Sequence, residues 1–175
     1  MDKEQALAVL KRGMSTEVWG KRFYEECATQ TIAEDGKKVF QSLVIEEGKH
    51  LDILRGQYAA VSGKGEWVPV KEAMAMAASV EPTRIFPDIS SSEQVIPDIA
   101  SDDQALQIAL DFERRGYQMY AQEAKQASSP EEKAMWEFLA KAEDLHYKFL
   151  FETQEYLATN GAWYFDAQEF PFFEG

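Results

Sequence analysis

The chain has 175 residues, enough for one domain around a single sizeable core, and its 18 Lys and Arg against 31 Asp and Glu give a formal net charge of -13. A surface this acidic repels phosphate backbones and anionic headgroups, which argues against nucleic acid and membrane surfaces as partners. A hydrophobic share of 45% excludes a disordered chain, and no apolar run approaches the roughly 18 residues of a membrane span.

The opening residues, Met1 to Gln5, are charged and lack an apolar segment, which predicts no secretory signal and a cytoplasmic protein. Four long segments then carry helical periodicity. The first spans about Lys3 to Gln30, with Leu7, Leu10, Met14, Gly20, Tyr24 and Ala28 recurring on one stripe. The second spans about Lys37 to Val61, with Phe40, Leu43, Val44, Leu51, Leu54 and Tyr58. From Ser62 to Ala100 the pattern breaks into prolines, glycines and a serine run at Ser90, Ser91 and Ser92. A short helix is predicted inside it, over about Val70 to Val80, where Met74 and Met76 alternate among alanines. The third long helix spans about Asp102 to Ala127 and the fourth about Pro130 to Thr159. Ser101 with Gln104 forms a capping-box pattern, and Ser129 before Pro130 and Glu132 forms a stronger one. Asn160 and Gly161 read as a helix stop.

Short loops join helices one and two, and three and four, so each pair is antiparallel. The stretch from 62 to 100 is too long for a turn. A helix of about 27 residues is about 40 Å long, and about 39 extended residues cover that distance. The expected fold is therefore all-α: a four-helix bundle over 1–159, with a long crossover (about 62–100) that leaves helices two and three parallel. The segment 160–175 crowds Trp163, Tyr164, Phe165, Phe170, Phe172 and Phe173 around Pro171. It is expected to pack over one end of the bundle; a contact between subunits, giving a homodimer or higher homo-oligomer, and a substrate gate are the alternatives. Cys27, the one cysteine, excludes an internal disulfide and any metal site of paired Cys-x-x-Cys motifs. It reads as a small buried hydrophobe, and the crossover acids Glu81, Asp88, Glu93 and Asp98 read as solvated.

The chemistry sits on the inner stripes. The chain has two histidines, His50 and His146, and each follows a glutamate by three positions, Glu47-x-x-His50 and Glu143-x-x-His146. Residues i and i+3 share a helix face, so each pair can address one metal. Glu17 and Glu113 interrupt the apolar stripes of the other two helices. Glu17 precedes Glu47 by 30 residues, Glu113 precedes Glu143 by 30, and the two sets are offset by 96. The same offset maps Leu10 on Leu106, Gly20 on Gly116, Tyr24 on Tyr120, Ala28 on Ala124, Leu43 on Leu139 and Leu54 on Leu150. The chain reads as two copies of one helical hairpin related by a pseudo-twofold.

Four carboxylates converging in an apolar core cannot all stay ionised without compensation, because desolvation and mutual repulsion both oppose it. Protonation is one escape. Two divalent cations are a better one, since they neutralise four carboxylates and accept two neutral imidazoles. One Glu from each of two helices and Glu-x-x-His from the other two is the ligand pattern of di-iron and di-manganese bundles. Oxygen and imidazole donors suit iron or manganese, with zinc as a substitute.

These residues, with Tyr24 and Tyr120 seven positions after Glu17 and Glu113 and a long crossover, make the chain resemble the rubrerythrin branch of the ferritin-like superfamily over its four helices. The resemblance implies a ferritin-like bundle holding two iron ions. Glu47 and Glu143 would bridge, Glu17 and Glu113 would be terminal ligands, and His50 and His146 would each bind one ion. Tyr24 and Tyr120 would orient carboxylates across the bundle by hydrogen bonding. Two features depart from the family pattern. The extra glutamate that rubrerythrins carry one turn after the third-helix ligand is here Gly116, and the rubredoxin domain that feeds electrons to the centre is missing with its cysteines.

The expected activity is thus reduction of hydrogen peroxide or dioxygen, with electrons from an external donor such as a rubredoxin, and the small Gly20 and Gly116 are expected to leave room for the oxidant. The alternatives are a ferroxidase or iron-handling protein of ferritin type, a metal-stabilised helical module that binds a partner through its aromatic tail, and, more weakly, a substrate hydroxylase.

Overall fold

The computed structural model describes residues 2–77 and 96–168. The described residues form four long helices and one short one: α1 Lys3–Gln30, α2 Glu34–Lys64, α3 Val70–Met76, α4 Asp102–Gln126 and α5 Pro130–Asn160. No strand occurs among the described residues. Three crossover acids (Glu81, Asp88, Glu93), Ala78–Val80 of the expected short helix, and Phe170, Pro171, Phe172 and Phe173 of the tail lie outside the described residues.

Helix ends follow capping chemistry, with informative shifts. α2 starts at Glu34, ahead of the expected Lys37, because Glu34 and Asp35 put negative charge in its first turn, where the helix dipole favours it. It runs through Ser62 and Gly63 to Lys64 and stops where Gly65 takes φ 72°, a left-handed cap. α5 stops the same way at Gly161, φ 67°. Ser101 and Ser129 accept from the backbone N–H of Gln104 and Glu132 as expected. The return bonds of both boxes reach one residue further out. Gln104 Oε1 accepts from Ala100 N (2.7 Å), and Glu132 Oε2 accepts from both Ser128 N and Ser128 Oγ (2.8 Å each).

Cross-helix bonds set the directions. Thr31 reaches Asp102, Tyr24 reaches Glu113, Tyr120 reaches Glu17 and Arg12 reaches Glu123. Residue numbers rise along α4 as they fall along α1, so these helices are antiparallel. α1 and α2 are joined by the short 31–33 connection, so α2 and α4 run parallel, as a long crossover requires. On the way, α3 lies against α2 at Gly56. A Cβ there would stand 1.8 Å from the Ala73 carbonyl oxygen, so only glycine permits the approach. Buried Gln57 clamps the chain before α3, donating to Val68 O (2.6 Å) and accepting from Val68 N (3.1 Å).

The core is two apolar clusters with a polar layer between them. One gathers Phe23, Tyr24, Phe40, Leu43, Leu106 and Leu150; the other gathers Leu10, Met14, Leu54, Tyr120, Trp136 and Leu139. Each such side chain contributes about 1.5–3 kcal/mol by leaving water. Cys27 is fully buried in the first cluster, and burial pushes its thiol up to about 12. Asp98 is exposed. After Gly161, Trp163 lies edge-on to Phe40 (5.6 Å between ring centres) and donates from Nε1 to Asp102 (2.9 Å). Phe165 also packs against this end of the bundle. None of the described helices is long and apolar enough to cross a membrane.

Candidate metal centre

The polar layer holds six side chains. α1 supplies Glu17, α2 Glu47 and His50, α4 Glu113, and α5 Glu143 and His146; each is at most 1% exposed. They reach one layer because each lies on the inward stripe of its helix, about half way along, flanked by apolar residues of both clusters.

Their ligand atoms form two overlapping groups of four. Glu17, Glu47, His50 and Glu143 each present one atom within 4.8 Å of the others, and Glu47, Glu113, Glu143 and His146 do the same. His50 Nδ1 lies 3.5 Å from Glu17 Oε2, 3.6 Å from Glu47 Oε2 and 3.3 Å from Glu143 Oε1. His146 Nδ1 lies 3.5 Å from Glu113 Oε2, 3.5 Å from Glu47 Oε1 and 3.8 Å from Glu143 Oε2. Glu47 and Glu143 each turn one oxygen to each histidine. Glu17 and Glu113 each turn a single oxygen to one histidine.

The other oxygens of Glu17 and Glu113 are occupied. Tyr120 donates its hydroxyl proton to Glu17 Oε1, and Tyr24 donates to Glu113 Oε1. These bonds cross between α1 and α4 in both directions and obey the offset of the two hairpins.

The spacings suit cations. Two donor atoms about 2.1 Å from one ion, at angles of about 100–130°, stand about 3.2–3.8 Å apart. With carboxylates ionised and imidazoles neutral, both Glu47 oxygens, one oxygen each of Glu17, Glu113 and Glu143, and both ring nitrogens of His146 have no hydrogen-bond partner among the described residues. Buried polar atoms left so carry a desolvation penalty of about 1–3 kcal/mol each, more when charged. The donor set therefore fits divalent ions, and Glu47 and Glu143, common to both groups, would be shared by a pair of them.

Without metal, protons compensate. Burial, then the charge of Glu47, raises the Glu17 pKa well above the carboxylate range, and burial with the charge of Glu143 does the same to Glu113. Burial also opposes ionisation of Glu47 and Glu143. Protons offered by Glu17 to the first, by Glu113 to the second, and by both imidazoles outweigh it, holding Glu47 at about 2 and Glu143 lower still. Burial lowers the basicity of His50 and His146, but their carboxylate neighbours win and raise both. Burial and the charge of Glu113 raise the Tyr24 phenol, so it stays a donor.

The expected room at the two glycines is already filled. A Cβ at Gly20 would meet the Phe112 ring at 2.4 Å, and one at Gly116 would meet Glu143 Cγ and Cδ at 3.3 Å. Helical periodicity shows that a position faces inward but not which neighbour occupies the space. Gly116 does line a groove of about 410 Å³ between α1 and α4, with Thr16, Trp19, Phe112, Arg115 and Met119.

Sequence reasoning missed three buried carboxylates. Glu46 pairs with Lys49 (2.7 Å), Glu123 pairs with Arg12, and Glu132 closes the start of α5. It also missed how far the repeat runs. The 96-residue offset maps Phe40 on Trp136, Gly65 on Gly161 and Trp67 on Trp163. Phe40 stacks on Tyr24 (6.2 Å) as Trp136 stacks on Tyr120 (5.7 Å). The unlike pair Phe40 and Trp136 hid part of the relation, and the glycine and tryptophan pairs lie past the helical stripes.

Neither the curated proteins nor the solved structures contain a match. A family model described as Rubrerythrin matches residues 8–154, which includes all six glutamates and histidines of the layer and both tyrosines. With a ferritin-like bundle around a carboxylate and histidine cluster able to hold metal, the chain belongs to the rubrerythrin family.

Proposed function

We propose that the protein is a di-iron oxidoreductase that reduces hydrogen peroxide, or dioxygen, with electrons from an external donor. The observation that carries this reading is the division of labour among the carboxylates. Glu47 and Glu143 each offer an oxygen to both histidine sides, whereas Glu17 and Glu113 each keep one oxygen for a tyrosine and offer the other to one side. That division supports a pair of ions rather than one.

When bound, the metal pair supplies two electrons, the number hydrogen peroxide needs, with two protons, to become water. The residues do the rest. Glu47 and Glu143 hold the shared positions and keep their charge down to low pH. Tyr24 and Tyr120 fix the terminal carboxylates so that each presents one oxygen. The two apolar clusters exclude water and strengthen every charge interaction in the layer. A small oxidant entering the groove at Gly116 meets the Glu143 side chain packed on that glycine, and the carboxylate turns aside to admit it. Electrons arrive from an external donor protein of the rubredoxin class.

Elemental analysis and peroxide turnover test the reading together. Two irons per chain, one for each ligand group, with peroxide consumed in proportion to an added reductant, support it. Hundreds of irons per chain would favour storage, and two ions with no turnover of either oxidant would leave a metal-stabilised module.

A further inference from the structure

The two hairpins differ in one respect that matters for electrons. In one, the file of rings leaving the polar layer is Tyr24, Phe40 and Trp163. In the other it is Tyr120, Trp136 and Trp67, with ring centres 5.7 Å and 5.9 Å apart. These separations are those of contacting aromatic pairs. Phenylalanine resists one-electron oxidation, whereas tyrosine and tryptophan yield to it. The first file is therefore interrupted and the second is continuous.

We propose that Tyr120, Trp136 and Trp67 form a one-electron relay between the metal layer and the surface. Its inner end is the Tyr120 hydroxyl, bonded to Glu17. Its middle is Trp136, fully buried, whose Nε1–H has no acceptor among the described residues. An oxidised indole there has nowhere nearby to leave its proton, so it stays a strong oxidant and passes the deficit on. Its outer end is Trp67, half-buried in the connection between α2 and α3, held by the two Gln57 bonds to the adjacent Val68.

The relay rests on the dioxygen branch of the proposed function, where a deficit of electrons arises; hydrogen peroxide, which takes two, leaves none. Dioxygen takes four electrons and four protons to become two waters, and a metal pair holds two electrons. The other two reach the layer through the protein, one at a time. Tyr120 gives up one electron, and its phenolic proton stays on Glu17 Oε1. Trp136 returns an electron to Tyr120, which recovers that proton. Trp67 returns one to Trp136. A one-electron reductant outside, of the ascorbate or ferrocyanide class, returns one to Trp67. Two such passes balance the reduction, with the four protons drawn from solvent.

Flash photolysis with photo-oxidised ruthenium tris-bipyridine, a reagent too bulky to enter the bundle, tests the relay apart from turnover. The protein is used loaded with redox-inert zinc and again metal-free. The Tyr120 phenoxyl signal is the part of the transient lost in Tyr120→Phe. It is expected to fall at least tenfold in Trp136→Phe and in Trp67→Phe and to stay unchanged in Trp163→Phe. Phenylalanine is tolerated at the place of Trp136, since Phe40 occupies it in the other hairpin, and thermal melts check each variant. A Tyr120 signal that survives in folded Trp136→Phe overturns the relay. Failure to bind zinc would count against the proposed function; in the metal-free protein, where Glu17 already holds a proton, the reading is taken at the Trp136 radical, and its survival in folded Trp67→Phe overturns the relay.

Discussion

Loading the layer with two divalent ions is expected to release up to four protons. In the metal-free protein Glu17, Glu113, His50 and His146 all hold protons more tightly than usual, while Glu47 and Glu143 are ionised. The cluster is then neutral, with two imidazolium and two carboxylate charges. Each of the four protonated groups must lose its proton to ligate. Their pKa values are raised, so they retain those protons to higher pH than free side chains would, and binding weakens as pH falls below the raised values. Each linked proton is about 1.4 kcal/mol per pH unit. Four give about 5.5 kcal/mol per pH unit for the pair, roughly a hundredfold in affinity for each ion. Titration calorimetry of zinc binding in buffers of different ionisation enthalpy counts the protons directly. Three to four per pair fits the cluster described here. Fewer than one would mean the metal-free layer does not hold these protons, and the electrostatic account would fall.

Glu47→Ala and Glu143→Ala should each lose both ions, because each removes a ligand common to the two groups, whereas Glu72→Ala, at an exposed position of α3, should lose neither; metal content by mass spectrometry decides, and full occupancy in Glu47→Ala refutes the sharing. Tyr120→Phe should weaken the ion on the Glu17 and His50 side, and Tyr24→Phe the ion on the Glu113 and His146 side, each by about 10–100-fold; equal loss at both sites in either variant would contradict the pairing. Gly56→Ala should push α3 off α2 and destabilise the fold by about 1–3 kcal/mol, read as a lower Tm, and an unchanged Tm would show that the contact is not needed.

The bundle was legible because long amphipathic periods and strong end signals point the same way. The six polar residues stood out for a related reason: an acid on an apolar stripe is a conflict that needs a partner. Contacts between helices were harder to read. Gly20 and Gly116 looked like vacant space, but Phe112 and Glu143 occupy it, and neither neighbour is near in sequence. The outer rings of the repeat were missed because Trp136 answers Phe40 and because Trp67 and Trp163 lie past the helix ends, where periodicity carries no signal. The end of α2 was set by Gly65, four positions after the last apolar residue of the stripe, since a helix continues through polar residues until a left-handed cap stops it.

Anomalous diffraction from crystals of the iron-loaded protein interrogates the central claim most directly. Two peaks per chain are expected in the buried layer, one beside His50 and Glu17 and the other beside His146 and Glu113, with Glu47 and Glu143 reaching both. A single peak, or a layer in which those carboxylates contact only protons and water, would contradict it.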